Sequence, residues 1–227
     1  MTITIYQSQG YSLSFNDSDI DMQYNHIFCG ENKVVGAFCP NCKKPLLKFL
    51  TIDMAYPILS NNPSNIKYLH FLFCWTCNIA QRDFSYQIMT SNEVRILKYE
   101  KGGAMSDFPY ESYPLFFPEK KVGFKKIEKN WQKLIADINK EAVDIYDYID
   151  EFPDITTPQH QVGGEPLLRQ DSLEDFKCPK CGEIMPLLAS ISDSHPDNMS
   201  FSGNSYVQIL YFLCARCSVV GARQFCD

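Results

Sequence analysis

Long apolar runs, positive charge and histidine are what this sequence has least of, and each shortage excludes something. No stretch approaches the roughly 18 consecutive apolar residues of a membrane span. Met1 leads into Thr2-Ile3-Thr4-Ile5-Tyr6-Gln7, a polar/apolar alternation rather than a charged region before an apolar one, so no secretory signal is expected. Lys and Arg number 21 against 27 Asp and Glu, a net charge of −6. That balance disfavours broad electrostatic binding to nucleic acid, which wants clustered positive charge. The four histidines, His26, His70, His160 and His195, are scattered with no ligand spacing. No Gly-x-Ser-x-Gly, His-Glu-x-x-His or dinucleotide fingerprint occurs, and nothing picks out a general acid/base pair among the carboxylates. The chain therefore reads as something other than an enzyme.

What is abundant is cysteine, ten in 227 residues. Eight fall into four Cys-x-x-Cys pairs: Cys39-Pro-Asn-Cys42, Cys74-Trp-Thr-Cys77, Cys178-Pro-Lys-Cys181 and Cys214-Ala-Arg-Cys217. Between Cys42 and Cys74 lie 31 residues, between Cys181 and Cys214 lie 32, and the second quartet follows the first at an offset of 139 to 140. Each pair can present two thiolates from one tight turn, and two turns supply the four tetrahedral ligands of a structural Zn²⁺. Two matched quartets fit neither a single redox dithiol nor a disulfide framework. The cofactors expected are two structural zinc ions, held by Cys39, Cys42, Cys74 and Cys77 and by Cys178, Cys181, Cys214 and Cys217. Free thiolates suit a reducing, cytoplasmic setting. Cys29 and Cys226 are left over and read as small buried hydrophobes.

The segments around the quartets repeat as well. Leu46–Ile52 reads as a buried strand, a polar loop follows at 60–65, and Tyr68–Phe73 leads into the second knuckle. Met185–Ile191, a loop over 193–204 and Val207–Leu213 copy that order. Strand, loop and strand with a knuckle at either end make a zinc-ribbon hairpin, present twice. Val94–Tyr99 alternates like a further strand, and the Gly, Pro and aromatic residues of 102–118 read as an irregular loop. One helix is predicted over 128–150, with Trp131, Leu134, Ile135, Ile138, Ala142, Ile145 and Ile149 in a single apolar stripe. Lysines crowd its entrance and carboxylates its exit, the reverse of what the helix dipole prefers. Asp137, Glu141, Asp144 and Glu151 read as one acidic flank: an ordinary solvated face, or a docking face for a basic protein partner.

These elements predict an α+β, mostly β fold: a pseudo-twofold repeat of two Cys₄ zinc-ribbon-like modules, 34–88 and 158–227, packed with one amphipathic helix in a single body spanning 1–227. Neither module alone carries apolar material enough for its own core.

After the helix the chain reads His160-Gln161-Val162-Gly163-Gly164-Glu165-Pro166-Leu167-Leu168-Arg169-Gln170, then Cys178-Pro179-Lys180-Cys181-Gly182. This resembles the YwqG-like family of uncharacterised proteins, with its His-Gln-x-Gly-Gly-x-Pro stretch. It is also similar to the programmed cell death protein 2 family, in which Gly-Gly-x-Pro precedes Cys-Pro-x-Cys-Gly, although Leu168 stands where that family usually carries Trp. The resemblance implies a mostly β pseudo-twofold fold without catalytic activity, and a role in escorting a client protein. Physically, Gly163-Gly164 permits positive φ in a tight turn and Pro166 fixes its exit. His160 reads as a structural histidine at that turn or as a site residue.

Two function classes remain. A protein-interaction module would bind a basic partner, either a client polypeptide or a cationic toxin. A zinc-ribbon nucleic-acid binder would use Lys43, Lys44, Lys48, Lys177, Lys180, Arg216 and Arg223 beside the knuckles, thin support on an acidic body.

Overall fold

A computed structural model describes residues 4–57, 66–75, 77, 83–99, 113–141, 144–148, 150, 159–168, 174–197, 199–201 and 207–225. The fold is α+β and mostly β. In chain order the elements are β1 (Tyr11–Ser14), β2 (Ile27–Phe28), β3 (Leu47–Asp53), β4 (Tyr68–Phe73), β5 (Phe84–Thr90), β6 (Glu93–Lys98), β7 (Lys120–Lys121), β8 (Gly123–Lys126), α1 (Lys129–Asn139), β9 (Gln161–Val162), β10 (Leu187–Ser192), β11 (Gln208–Cys214) and β12 (Val219–Phe225). They form an eight-stranded sheet of order β6-β5-β12-β11-β10-β9-β1-β8 and a four-stranded sheet of order β4-β3-β2-β7.

Each cysteine quartet closes one antiparallel hairpin, β3–β4 for the first and β10–β11 for the second. Both hairpins shift register early, between Lys48 and Leu50 in one and between Leu187 and Ala189 in the other. Such a bulge adds one residue and tightens the local twist. The bulged side chains, Phe49 and Leu188, are both buried. The hairpins nevertheless lie in different sheets. β5, which follows the first quartet, does not pair with β4: it crosses to the eight-stranded sheet and pairs with β12, Val220 opposite Tyr86 and Gly221 opposite Ser85.

The sheets meet through aromatic side chains. Phe71 of β4 packs on Tyr211 of β11 with ring centroids 4.7 Å apart, and Phe201 sits 4.8 Å from Phe49 and 4.7 Å from Phe117. One hydrophobic cluster runs through both sheets, from Phe28, Phe49 and Phe71 to Ile191, Tyr211 and Val220. A second bond between the sheets is polar. The Tyr86 hydroxyl, fully buried on β5, donates to the His70 carbonyl (2.5 Å) and accepts from the Leu72 amide (3.1 Å). These backbone groups belong to β4, the edge of its sheet, so the hydroxyl satisfies what a neighbouring strand otherwise would.

The helix is shorter than its sequence pattern suggests. α1 stops at Asn139, and Glu141 takes φ 55°, which breaks the helical path expected to run to 150. The cause is visible at the helix end. The Asn139 side-chain amide donates to the Glu165 carboxylate (3.0 Å) and the Pro166 carbonyl (2.9 Å), and its Oδ1 accepts from the Leu168 amide (3.0 Å). Asn139 thereby clasps the 165–168 segment where a longer helix would continue. Among the described residues a short 3-10 turn, Ile145–Tyr148, follows. The stripe of α1 packs as a separate small cluster, Trp131, Leu134 and Ile138 around Ile135 and Leu167, rather than on the main core. Ala142, Ile149, Cys226 and most of the 102–118 loop lie outside the described residues.

Candidate metal centres

The first arm of each centre is the same small turn. In one, the Cys39 amide donates to the Lys44 carbonyl (2.8 Å) and the Lys43 amide to the Cys39 carbonyl (2.9 Å). In the other, the Cys178 amide donates to Glu183 (2.9 Å) and the Gly182 amide to Cys178 (2.8 Å). Both turns need a left-handed residue just after the second cysteine: Gly182 at φ 75° and Lys43 at φ 63°. Glycine takes that conformation freely; Lys43 instead anchors its ammonium on the Pro40 carbonyl at 2.6 Å. The second arms come from strand ends, where β4 runs into Cys74 and β11 ends on Cys214.

These arms gather Cys39, Cys42, Cys74 and Cys77 in one group and Cys178, Cys181, Cys214 and Cys217 in another, the sulfurs of each group all within 4.8 Å of one another. Cys42 Sγ lies 3.8 Å from Cys74 Sγ, and Cys181 Sγ 3.8 Å from Cys214 Sγ. A tetrahedron with metal–sulfur bonds of about 2.3 Å has edges of about 3.8 Å. A disulfide would bring the sulfurs to about 2.05 Å. The donor set therefore fits a metal ion bound by four thiolates at each centre, with the knuckles paired within each quartet.

The sulfurs in a group compete for negative charge. Hydrogen bonding from Cys74, added to by the amides of Cys42 and Asn41, draws the Cys39 thiol down to about 5. Burial, and the charge of Cys39, push Cys77 up to about 11. In the second group the Glu183 amide pulls Cys181 down while burial pushes Cys214 up. A cation touching all four sulfurs stabilises every thiolate at once, which is why binding metal here releases protons.

The surroundings differ. Three of the four sulfur-bearing residues of the first group are buried, and Trp75 between its last two cysteines is 1% exposed, edge-on to Phe49 and Phe73. The second group belongs to a satellite cluster with Phe176, Leu210 and Phe212, and Cys181 and Cys217 reach the surface. Strand β5 braces the second group: the Gln87 side chain donates to the Cys217 carbonyl (3.2 Å) and accepts from Lys180 (3.1 Å). The sequence carries no sign of this role for Gln87, because 130 residues separate it from Cys217. Cys29 is buried and belongs to neither group, its thiol pushed well up by burial.

The Gly-Gly-x-Pro stretch serves packing. Gly163 and Gly164 take φ 67° and 62°, and their amides donate to the Leu188 and Gln7 carbonyls (2.7 and 2.8 Å). A Cβ on Gly163 would stand 2.4 Å from the Gln7 amide nitrogen and 2.6 Å from the Gln9 carbonyl. Gln161 donates to the Gly163 carbonyl (2.8 Å), and Pro166 is buried. His160 takes the structural of its two roles: Nδ1 accepts from the Ser192 amide (3.2 Å) and Nε2 faces the Ser194 carbonyl (3.1 Å). The other histidines are ties too. His26 accepts from the Asp53 amide, His70 bridges Thr51 and the Ser91 carbonyl, and His195 bridges the Pro118 carbonyl and the Asp197 amide.

The acidic residues do not form one helical flank. Asp137 is half-buried on α1, while Glu141 and Asp144 are exposed beyond its end; Glu151 lies outside the described residues. Several basic residues by the knuckles are already engaged: Arg216 with Glu183 (2.7 Å), Arg223 with Asp83 (2.7 Å) and Lys180 with Gln87. No described helix is long and apolar enough to cross a membrane. No family model, curated protein or solved structure matches the chain.

Proposed function

We propose that the protein is a non-catalytic zinc-binding module for protein–protein interaction, with one structural Zn²⁺ in each Cys₄ group. The observation that carries this reading is the closed donor set: four sulfurs around each centre complete a tetrahedron and leave no position for substrate or water. All-thiolate tetrahedral sites favour zinc over harder cations. The histidines, the commonest acid/base groups, each hold backbone in place.

The partner we propose is a basic protein. The net charge of −6 and the exposed Glu141 and Asp144 beyond the helix end support it, with Asp137 and Glu151 as neighbours in sequence. The resemblance to the YwqG-like and programmed cell death protein 2 families points to a client polypeptide; a cationic toxin fits the same chemistry. Cytoplasmic thiol conditions suit both metal centres. Nucleic acid is the weaker reading, since Arg216 and Arg223 spend their charge on Glu183 and Asp83.

The test is a pull-down from the native host, followed by association kinetics of the captured protein with wild type and with Glu141→Lys/Asp144→Lys. Slower association with a flatter salt dependence, at unchanged metal content, supports the acidic site. Unchanged kinetics remove it. Tight, salt-steep binding of RNA or DNA by the wild type overturns the protein-partner reading in favour of nucleic acid.

A further inference from the structure

The corresponding faces of the two metal-bearing hairpins are finished differently. In the second, Leu187 and Phe212 pair just before the register shift, and Ser190 pairs with Leu210 after it. This face is sealed: Leu187, Leu210 and Phe212 are 2% exposed or less, and Phe176 stacks on Phe212 at 4.8 Å. At the matching places of the first hairpin, Lys48 pairs with Leu72 before the shift and Thr51 with His70 after it. This face floors an open groove of about 700 Å³. A lysine thus occupies the position that a buried leucine fills in the other hairpin.

Lys48 is held in an unusual way for a lysine. Its side chain is only 12% exposed, and its nearest carboxylate in an ion pair, Glu119, is 4.0 Å away and itself 58% exposed. Burial pulls the ammonium's pKa down, and Glu119 partly restores it. An ammonium taken out of water without a close counter-ion costs stability that Leu would not. The other floor group cannot take up charge easily, because Thr51 and the Ser91 carbonyl occupy both nitrogens of His70 and burial lowers its pKa. Lys121 stands at the wall with Asn25 and Asn92, and Lys33 stands there paired with Glu31 at 3.2 Å. The groove is within the size range of small-molecule sites, with few convergent polar groups on an ordered sheet.

We propose that this groove binds a small oxyanion-bearing molecule, a carboxylate or a phosphate, whose anionic group is received by Lys48 with Lys121 at the wall. The bound anion supplies the close counter-charge that Glu119 gives only at a distance, and Asn92 and Tyr68 flank it with neutral donors. The site is separate from both Cys₄ groups and from the partner reading above, so neither stands or falls with it.

The experiment is thermal unfolding of the metal-loaded full chain titrated with inorganic phosphate and, separately, with succinate, each against sodium chloride at matched ionic strength. A saturable rise in Tm of roughly 2–4 °C is expected at tenfold excess over Kd. Lys48→Leu, which copies the second hairpin, abolishes the rise and leaves the ligand-free Tm equal or higher. Lys121→Met, at the exposed wall, weakens it. A response to one anion alone assigns the ligand to that class. No saturable rise with either anion overturns the proposal, as does a rise that Lys48→Leu retains. Should Lys48→Leu fail to fold, amide chemical-shift changes in wild type decide: shifts centred on Lys48, Thr51 and His70 support the site, and shifts elsewhere refute it.

Discussion

Replacing Tyr86 by Phe removes one oxygen atom, yet it cuts a polar link between the two sheets. The hydroxyl is fully buried and serves two backbone groups of β4, the His70 carbonyl at 2.5 Å and the Leu72 amide at 3.1 Å. Phe fills the same ring volume, so packing with Phe84 is retained and the cavity term is small. What changes is that one donor and one acceptor are left unpaired in the core. Each unsatisfied buried group costs about 1–3 kcal/mol, giving an expected loss of roughly 2–6 kcal/mol for the two. The assay is urea unfolding of metal-loaded protein, followed both by tryptophan fluorescence, which includes Trp75 in the core, and by far-UV circular dichroism. The denaturation midpoint should fall with coincident transitions, because β4 and β5 share one hydrophobic cluster. A loss under about 0.5 kcal/mol, within the scatter of ordinary surface changes, would refute the role given to this hydroxyl.

Gly163→Ala meets the Gln7 side chain and the Gln9 carbonyl at positive φ, whereas Gly182→Ala has the same φ sign with nothing within 4 Å of the added carbon. Thermal unfolding should show Gly163→Ala losing more than about 2 kcal/mol and Gly182→Ala only about 1 kcal/mol, the cost of the left-handed backbone alone. Burial holds His26 and His160 at about 4, below the ordinary 6.5. The unfolded chain therefore binds more protons between these values, and the stability each histidine confers is full above pH 6.5 and lost as pH falls toward 4. Imidazole resonances that stay neutral down to pH 5 check this, and titration near 6.5 contradicts it.

Much of this is legible in the sequence, and for one reason: local periodicity and ligand spacing survive there. Tyr68–Phe73 and Leu46–Ile52 announce β4 and β3, and the cysteine spacing announces both sulfur groups. What depends on distant partners is not legible. β12 carries Gly221, Arg223 and Gln224 and so lacks a strand's apolar alternation. It is buried all the same because Arg223 pairs with Asp83 and lies over Phe176, while a Cβ on Gly221 would strike the Phe176 ring at 2.5 Å. The apolar stripe of the helix continues past Asn139, and the clasp of Asn139 on the 165–168 segment, which ends the helix, has no local signature. The groove has no sequence signature, because Lys48 acquires meaning only when set against Leu187 in a paired register.

That the chain carries two independent four-thiolate centres is the central claim, and metal content tests it most directly. Elemental analysis of metal-replete wild type should give two zinc ions per chain. Cys178→Ser should retain one, held by Cys39, Cys42, Cys74 and Cys77, and the buried, non-ligand Cys29→Ser should retain both. Fewer than about 1.5 zinc ions per wild-type chain, or loss of both ions from Cys178→Ser, would contradict two independent four-thiolate centres.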